Sequence, residues 1–257
     1  MPTIQQNSNL WNENYDWSHG GDEWSESWGG PEAQWFGAIY PRIQGFLPTG
    51  TILEIAPGFG RWTQFLKDSC ERLMVVDLSE RCIDSCKSRF AQTQHLEYYV
   101  NDGKSLEFIP DQSIDFAFSF DSLVHAEADV IEAYLHQLAR KLKPNGIGFI
   151  HHSNIGAYTD PATGELRSGL LNPHWRAKSM SARAFEKYCE AANLQCTNQE
   201  IINWGTEELS DAFSVFTRKE SVSSRANRVL ENPDFMTEAH LIRKLSPLYS
   251  VRLWRGR

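Results

Sequence analysis

The chain has 257 residues, 41% hydrophobic and 23% charged, which fits one large soluble domain with appendages and excludes a disordered, collagenous or coiled-coil chain. Its net charge of −8 argues against broad nucleic-acid binding, which depends on counterion release by Lys and Arg, and no apolar run nears the ~20 residues of a membrane helix. The five cysteines, Cys70, Cys82, Cys86, Cys189 and Cys196, lack a Cys-x-x-Cys spacing and read as reduced thiols of a cytoplasmic protein.

Met1 to Gly30 has no clear period and no signal-peptide pattern, the first basic residue being Arg42. It is acidic but holds Trp11, Trp17, Trp24 and Trp28. Disordered tails are poor in aromatics, so this segment is expected to fold as a lid over something apolar. Pro31 suits the first turn of a helix, and Ala33, Phe36, Ile39, Tyr40, Ile43 and Phe46 give a helical stripe interrupted by Pro41. Short apolar runs then alternate with helical segments. Strands are expected at Thr51–Ile55, Leu73–Val76, Leu96–Val100, Ile114–Phe120 and Ile147–His151, and helices at Arg61–Cys70, Ser79–Phe90 and Ala128–Lys141. Pro144-Asn145-Gly146 reads as a turn. This alternation predicts an α/β fold, a parallel sheet covered by helices on both faces. Ser181–Ala192 reads as another helix, and two strand candidates follow near Leu194–Trp204 and Ala212–Thr217. Ile155 to Ser179 is turn-rich, and a loop of that length inside a domain is usually functional or mobile. From Arg218 to Arg257 the composition turns basic, with nine Lys/Arg against four Asp/Glu. The expected organisation is a Trp-rich lid and helical segment over 1–50, a main domain over 51–219 and a basic extension over 220–257.

The informative stretch is Ile52-Leu53-Glu54-Ile55-Ala56-Pro57-Gly58-Phe59-Gly60-Arg61-Trp62. A strand runs into a glycine turn and then a helix. Glycines there let the backbone approach a ligand, and the helix offers its free N–H groups. The next strand ends in Asp77, where a carboxylate accepts hydrogen bonds from both hydroxyls of a ribose. Gly58 and Gly60 are followed at the third position by Thr63, not by the glycine of a dinucleotide site. With Glu54 ahead of the glycines and Ala56 at the first glycine position, the stretch resembles motif I of class I S-adenosylmethionine-dependent methyltransferases. Asp77, Asn101-Asp102-Gly103 and the run Asp115 to Phe120 with Leu123 and His125 match later motifs of that family in order, over roughly Thr51 to Lys219. The resemblance implies a Rossmann-like, mostly parallel seven-stranded sheet with the last strand antiparallel, and S-adenosyl-L-methionine as cofactor. It also implies cofactor contacts at Glu54, Ala56, Gly58, Gly60, Asp77, Leu78, Asp102 and Gly103. Trp28 and Gln34 are the candidates from the lid.

Sites in open parallel sheets lie beyond the carboxyl ends of the strands. That places Asp121 and His125 after strand four, and His151, His152 and Asn154 after strand five, in the catalytic region. A hydroxyl acceptor needs its proton removed, and a His with a pKa near ~6.5 suits that task. Alternation makes His151 and His152 face opposite ways. His152, on the face of Asn154, is the preferred base; His151 and His125 are the alternatives, and Asp121 is an orienting group. No metal site is expected, because the spacing of these residues matches no established ligand pattern. Trp24, Trp28, Trp35 and Trp175 offer flat walls for a sugar ring, and the pattern Trp24 to Trp35 resembles methyltransferases of bacterial glycan and sugar-modifying pathways. Arg167, Arg176 and Lys178 read either as phosphate ligands or as solvated loop charges. The expected activity is O-methylation of a small molecule such as a saccharide, a nucleotide-sugar or a glycan end. N-methylation of an amine or peptide-like natural product, and a non-catalytic cofactor-binding partner subunit, are the alternatives. No nucleic acid and no membrane span are expected as partners, and a homodimer stays open.

Overall fold

In the computed structural model, which describes residues 3–160, 162–167 and 170–249, the apolar runs form strands β1 (Thr49–Ile55), β2 (Cys70–Asp77), β3 (Leu96–Val100), β4 (Ile114–Ser119), β5 (Leu142–Ser153), β6 (Leu194–Ile202), β7 (Asp211–Arg218) and β8 (Arg228–Asn232). They make one sheet in the order β3-β2-β1-β4-β5-β7-β6-β8. The strands β1 to β5 run parallel, β7 is antiparallel to both β5 and β6, and β8 joins β6 in parallel. The sheet therefore has eight strands where seven were expected. The additional edge strand comes from the basic extension. Its residues are exposed but for Asn232, so it lacks the apolar signature of a strand. Three of the basic residues in that extension, Arg252, Arg255 and Arg257, lie outside the described residues.

The helices are α1 (Ile4–Ser8), α2 (Pro31–Gln34), α3 (Tyr40–Ile43), α4 (Thr63–Leu66), α5 (Glu80–Arg89), α6 (Ala128–Lys141), α7 (Ala182–Ala191) and α8 (Phe235–Leu245). The period of two along each strand divides the core into two layers. Leu53, Ile55, Met74 and Val76 pack with Ile131, Leu135 and Leu138 of α6 and Phe185 of α7. Ile52, Leu73, Val75, Phe116, Phe118 and Phe149 pack on the other face with Trp35, Ile39, Ile43, Ile83 and Phe235. Ser79 and Ser181 cap α5 and α7, accepting hydrogen bonds from Cys82 N–H and Ala184 N–H. The helix expected over Arg61–Cys70 is reduced to α4 and one 3-10 turn, because β2 already begins at Cys70. The Pro144 turn lies within β5 as an irregularity: pairing with β4 passes from Leu142 directly to Ile147.

The N-terminal segment divides in two. From Thr3 to Trp24 it is a strap across the carboxyl ends of the strands, with a π-helical turn over Asn9–Asn14 after α1. From Trp28 to Ile43 it packs on the sheet face beside α8. Among the described residues no helix is long and apolar enough to cross a membrane.

Candidate active site

A cleft of about 900 Å³, counted out to its solvent mouth, opens between the strap and the ends of β1, β2 and β4. Its floor is the turn after β1. Ala56, Gly58 and Gly60 all have left-handed backbone, with φ of +58°, +58° and +84°. At Gly60 glycine is required twice over, because an added Cβ would come within 2.6 Å of the Phe90 ring. At Gly58 an added Cβ would lie 3.0 Å from the Trp17 ring, which stacks on Phe59 at 4.4 Å. Gly60, although expected to touch the cofactor, faces Phe90 and does not line the cleft; the bare backbone at the cleft is that of Gly58, under an aromatic roof.

Asp77, at the end of β2, lines the cleft and is only 6% exposed. Its Oδ2 accepts from Gly58 N–H at 3.2 Å and its Oδ1 from Ser79 N–H at 2.8 Å. Burial raises its pKa to about 6 against these donors. Each oxygen keeps acceptor capacity for a hydroxyl. Leu78 and Gly103 also line the cleft.

Other expected cofactor residues stand elsewhere. Glu54 is buried behind the turn, its Oε2 accepting from Thr63 Oγ1 at 2.6 Å, and burial raises its pKa to about 8. It supports the turn as a neutral acid and does not line the cleft. Asp102 turns its Oδ1 back to Lys104 and Ser105 N–H, at 2.9 and 2.7 Å; these donors lower its pKa and the side chain closes an Asx-turn. Trp28 sits in the core against Trp204 and Phe235, at 5.2 and 5.7 Å, and Gln34 is fully buried on α2. Neither lines the cleft, because the chain has left the strand ends by then.

The strap supplies contacts that the sequence reading missed. Ile4, Asn7 and Trp11 line the cleft. Their spacing of three and four residues, one helical face, was the available signal. Asn7 donates from Nδ2 to the His125 carbonyl at 3.1 Å, and its buried Oδ1 has no partner among the described residues. Asn12 Oδ1 accepts from Ser79 Oγ and Arg81 N–H, at 2.9 and 3.3 Å, pinning the strap to the start of α5.

Of the candidate bases, only His125 lines the cleft. Its Nδ1 lies 3.1 Å from the Trp175 carbonyl, and an oxygen without a proton makes Nδ1 the donor. Nε2 then carries the lone pair. Burial, aided by the Arg176 charge, lowers the pKa of His125 to about 4, so the ring is neutral at neutral pH. Trp11 lies over it at 5.5 Å.

The preferred base, His152, is corrected by its surroundings. Its Nε2 and Nδ1 engage Ser214 Oγ and the Ser153 carbonyl, at 2.8 and 2.9 Å, and the ring stacks on Phe185 at 4.4 Å in the core. His151 faces the opposite way, as alternation requires, and is also fully buried. Its Nδ1 accepts from Asp121 N–H at 3.1 Å, and its Nε2 lies 3.4 Å from Asp211 Oδ2. Asp121 does line the cleft, bonded through Oδ2 to Arg61 Nη2 at 2.7 Å. Arg61 stacks on Trp62 at 4.5 Å.

The expected aromatic walls are partly relocated. Trp24 lines the cleft, joined by Trp11 and Trp17, whereas Trp35 is core and stacks on Phe65 at 5.0 Å. Arg176 is no phosphate ligand, because its guanidinium is buried against Asp211. Lys178 pairs with Glu165 at 3.0 Å, and Arg167 is exposed.

Residues 52–146 match the methyltransferase domain family. A nodulation protein, Nodulation protein S of Sinorhizobium fredii, is 28% identical over 129 residues, which are 49% of this chain and 59% of that protein. The PH0226 protein of Pyrococcus horikoshii superposes with a TM-score of 0.56 at 17% identity, over 82% of this chain and 96% of that one. An S-adenosylmethionine-dependent methyltransferase of Clostridium acetobutylicum does so with a TM-score of 0.58 at 15% identity, over 78% and 97%. The fold is therefore that of class I methyltransferases, and the Clostridium neighbour is named for its dependence on S-adenosyl-L-methionine. The residues fit it: a buried carboxylate for the ribose, a glycine turn whose backbone faces the cleft, and apolar Ile4 and Leu78 to flank a base.

Proposed function

We propose that this chain transfers a methyl group from S-adenosylmethionine to an oxygen of a small hydroxylated acceptor, such as a saccharide, a nucleotide-sugar or a glycan end. The observation that carries this reading is the His125 ring in the wall of the cleft, with Nδ1 bonded to the Trp175 carbonyl and Nε2 left to face an acceptor.

Asp77 would hold the ribose hydroxyls, and the Ala56–Gly60 turn would approach the amino-acid end through bare backbone. Gly103, Leu78 and Ile4 would enclose the adenine. Bound S-adenosylmethionine supplies a methyl on a positively charged sulfur, open to in-line displacement. His125 Nε2 takes the proton of the acceptor hydroxyl as the methyl is transferred; with a pKa of about 4 it is a weak base, so it serves by its position more than by its basicity. Trp11, Trp17 and Trp24 exclude water and offer flat faces to a sugar ring, and alignment in a closed site supplies much of the rate. Arg61 holds the Asp121 carboxylate at the same wall, where it accepts a further acceptor hydroxyl.

The test is calorimetric titration of S-adenosylmethionine into wild type and Asp77→Ala, followed by turnover assays on sugars and nucleotide-sugars with wild type and His125→Ala. The expected result is binding that Asp77→Ala loses and turnover that His125→Ala loses. No binding by the folded wild type overturns the reading. Turnover only on amines, undiminished in His125→Ala, replaces it with N-methylation.

A further inference from the structure

The peptide between Trp175 and Arg176 is held at both ends. Its N–H donates to Asn172 Oδ1 at 2.7 Å, and its carbonyl accepts from His125 Nδ1 at 3.1 Å. Asn172 Nδ2 also donates to the Arg176 carbonyl at 2.8 Å, and Ala177 N–H donates to the Val124 carbonyl at 2.9 Å. Trp175 has φ of +58°, a backbone state that a non-glycine residue keeps only where its surroundings impose it. The residue is 42% exposed, so tight packing of its side chain does not impose it.

The anchor is the next residue. The buried Arg176 guanidinium makes a two-pronged pair with Asp211, Nε to Oδ1 at 2.9 Å and Nη2 to Oδ2 at 2.7 Å. Such planar pairing fixes orientation as well as position. Asp211 is itself fully buried at the start of β7. Burial alone would raise its pKa, but Arg176 and His151 hold it down to about 2, so the pair stays ionised. Through His151 the same carboxylate supports the backbone of Asp121, which has φ of +61°. One buried acid thus stands behind Asp121 through His151 and behind His125 through Arg176 and the Trp175 carbonyl.

We propose that Asn172, Arg176 and Asp211 are positioning residues that hold the Trp175 carbonyl where it fixes His125 as its Nδ1–H tautomer, leaving Nε2 to accept a proton in the cleft. This rests on the reading of His125 as the base. Neutral imidazole by itself favours the Nε2–H form, so a rigid carbonyl at Nδ1 is what reverses the preference. None of the three lines the cleft; they act through the 172–177 turn.

The test is nitrogen-15 NMR of the histidine-labelled 257-residue chain, with the His125 ring signals assigned by their loss in His125→Gln. In wild type, Nδ1 is expected at the protonated position and Nε2 at the unprotonated one. In Asn172→Ala and Arg176→Lys the two shifts are expected to move toward each other, as the tautomers mix. Wild type in the Nε2–H form overturns the proposal. So do folded variants that are less heat-stable but keep the wild-type shifts, since a purely structural role predicts that outcome. Should Arg176→Lys fail to fold, the half-buried Asn172→Ala decides. Titration of S-adenosylmethionine into the same wild-type sample separates the two readings: no binding overturns the methyltransferase reading, whereas the tautomer result tests the clamp alone.

Discussion

The two halves of the cleft are built on different plans. Around Asp77 the polar contacts stay within the strand-end turns: Asp77 is bonded to Ser79 two residues on and to the turn that ends the adjacent strand, and Gly103 donates to the side chain of Asn101, with Ile4 and Trp17 of the strap laid over them. Around His125 they come from the whole chain. Asn7 and Trp11 descend from the strap, Asp121 and His125 follow β4, Trp175 and Arg176 come from the long loop, and Asp211 opens β7. A site made of neighbours tolerates change around it, because each strand-to-helix turn carries its own geometry. A site made of distant segments depends on every packing contact between them.

The largest expected effect breaks this comparison at its most exposed point. His125→Ala should lower kcat by about 10²–10⁴-fold, the usual worth of a positioned base, and leave S-adenosylmethionine affinity unchanged in calorimetry. His152→Ala should do the reverse. It should lower stability by about 2–4 kcal/mol in denaturant titration, the cost of emptying a core position, with turnover per folded molecule kept. Equal losses of kcat in both variants would remove the distinction drawn between them.

On the cofactor side, Asp77→Ala should weaken S-adenosylmethionine binding by about 100-fold or more, since hydrogen bonds to a charged group are worth about 1.5–3 kcal/mol each. Asp102→Ala should change it little, because that carboxylate closes its own turn. A comparable loss in Asp102→Ala would restore it to the cofactor contacts.

Glu54 sharpens the comparison through pH. Its pKa is about 8 in the folded protein against 4.5 for an ordinary glutamic acid. Between those values the native state holds a proton that the unfolded chain has released. Its stabilising contribution is therefore full below pH 4.5 and is lost as pH rises through about 8. Glu54→Gln should flatten the decline of stability over that window, measured by denaturant midpoints at a series of pH values. An unchanged slope would show that Glu54 is ionised in the fold.

The smallest effect belongs to Ala56, which holds a left-handed φ of +58° at the position where its motif has glycine. Ala56→Gly should raise stability by up to about 1 kcal/mol, the relief of Cβ strain less the greater entropy of glycine in the unfolded chain. A decrease would mean that the surroundings have adapted to the methyl group.

Legibility followed the same division. The glycine turn, Asp77, Leu78 and Gly103 were readable because strand, turn and acid recur at fixed offsets, and the caps Ser79 and Ser181 because capping is a property of three or four consecutive residues. Glu54 was recognised as part of the motif, but spacing gives only its position on β1; that its side chain lies behind the turn, bonded to Thr63, is a tertiary fact. Trp28 and Trp35 looked like Trp24 in composition, yet two were folded into the core by α8 and the sheet. The strand β8 was invisible, because an edge strand without a buried face has no alternation to read.

The pair His151 and His152 marks the boundary between the two sources of information. From the sequence alone, residues adjacent on a strand point to opposite faces, and that held: one ring meets Asp211 and the other stacks on Phe185. Periodicity is relative, however. It states that two side chains part company, not which of the two faces is covered by α6 and α7 and which by the aromatic layer around Trp204. That choice, and with it the selection of His125 as the ring beside the cleft, was decided only when the strap, the long loop and β7 packed together, because burial and hydrogen-bond partners are properties of the assembled layers.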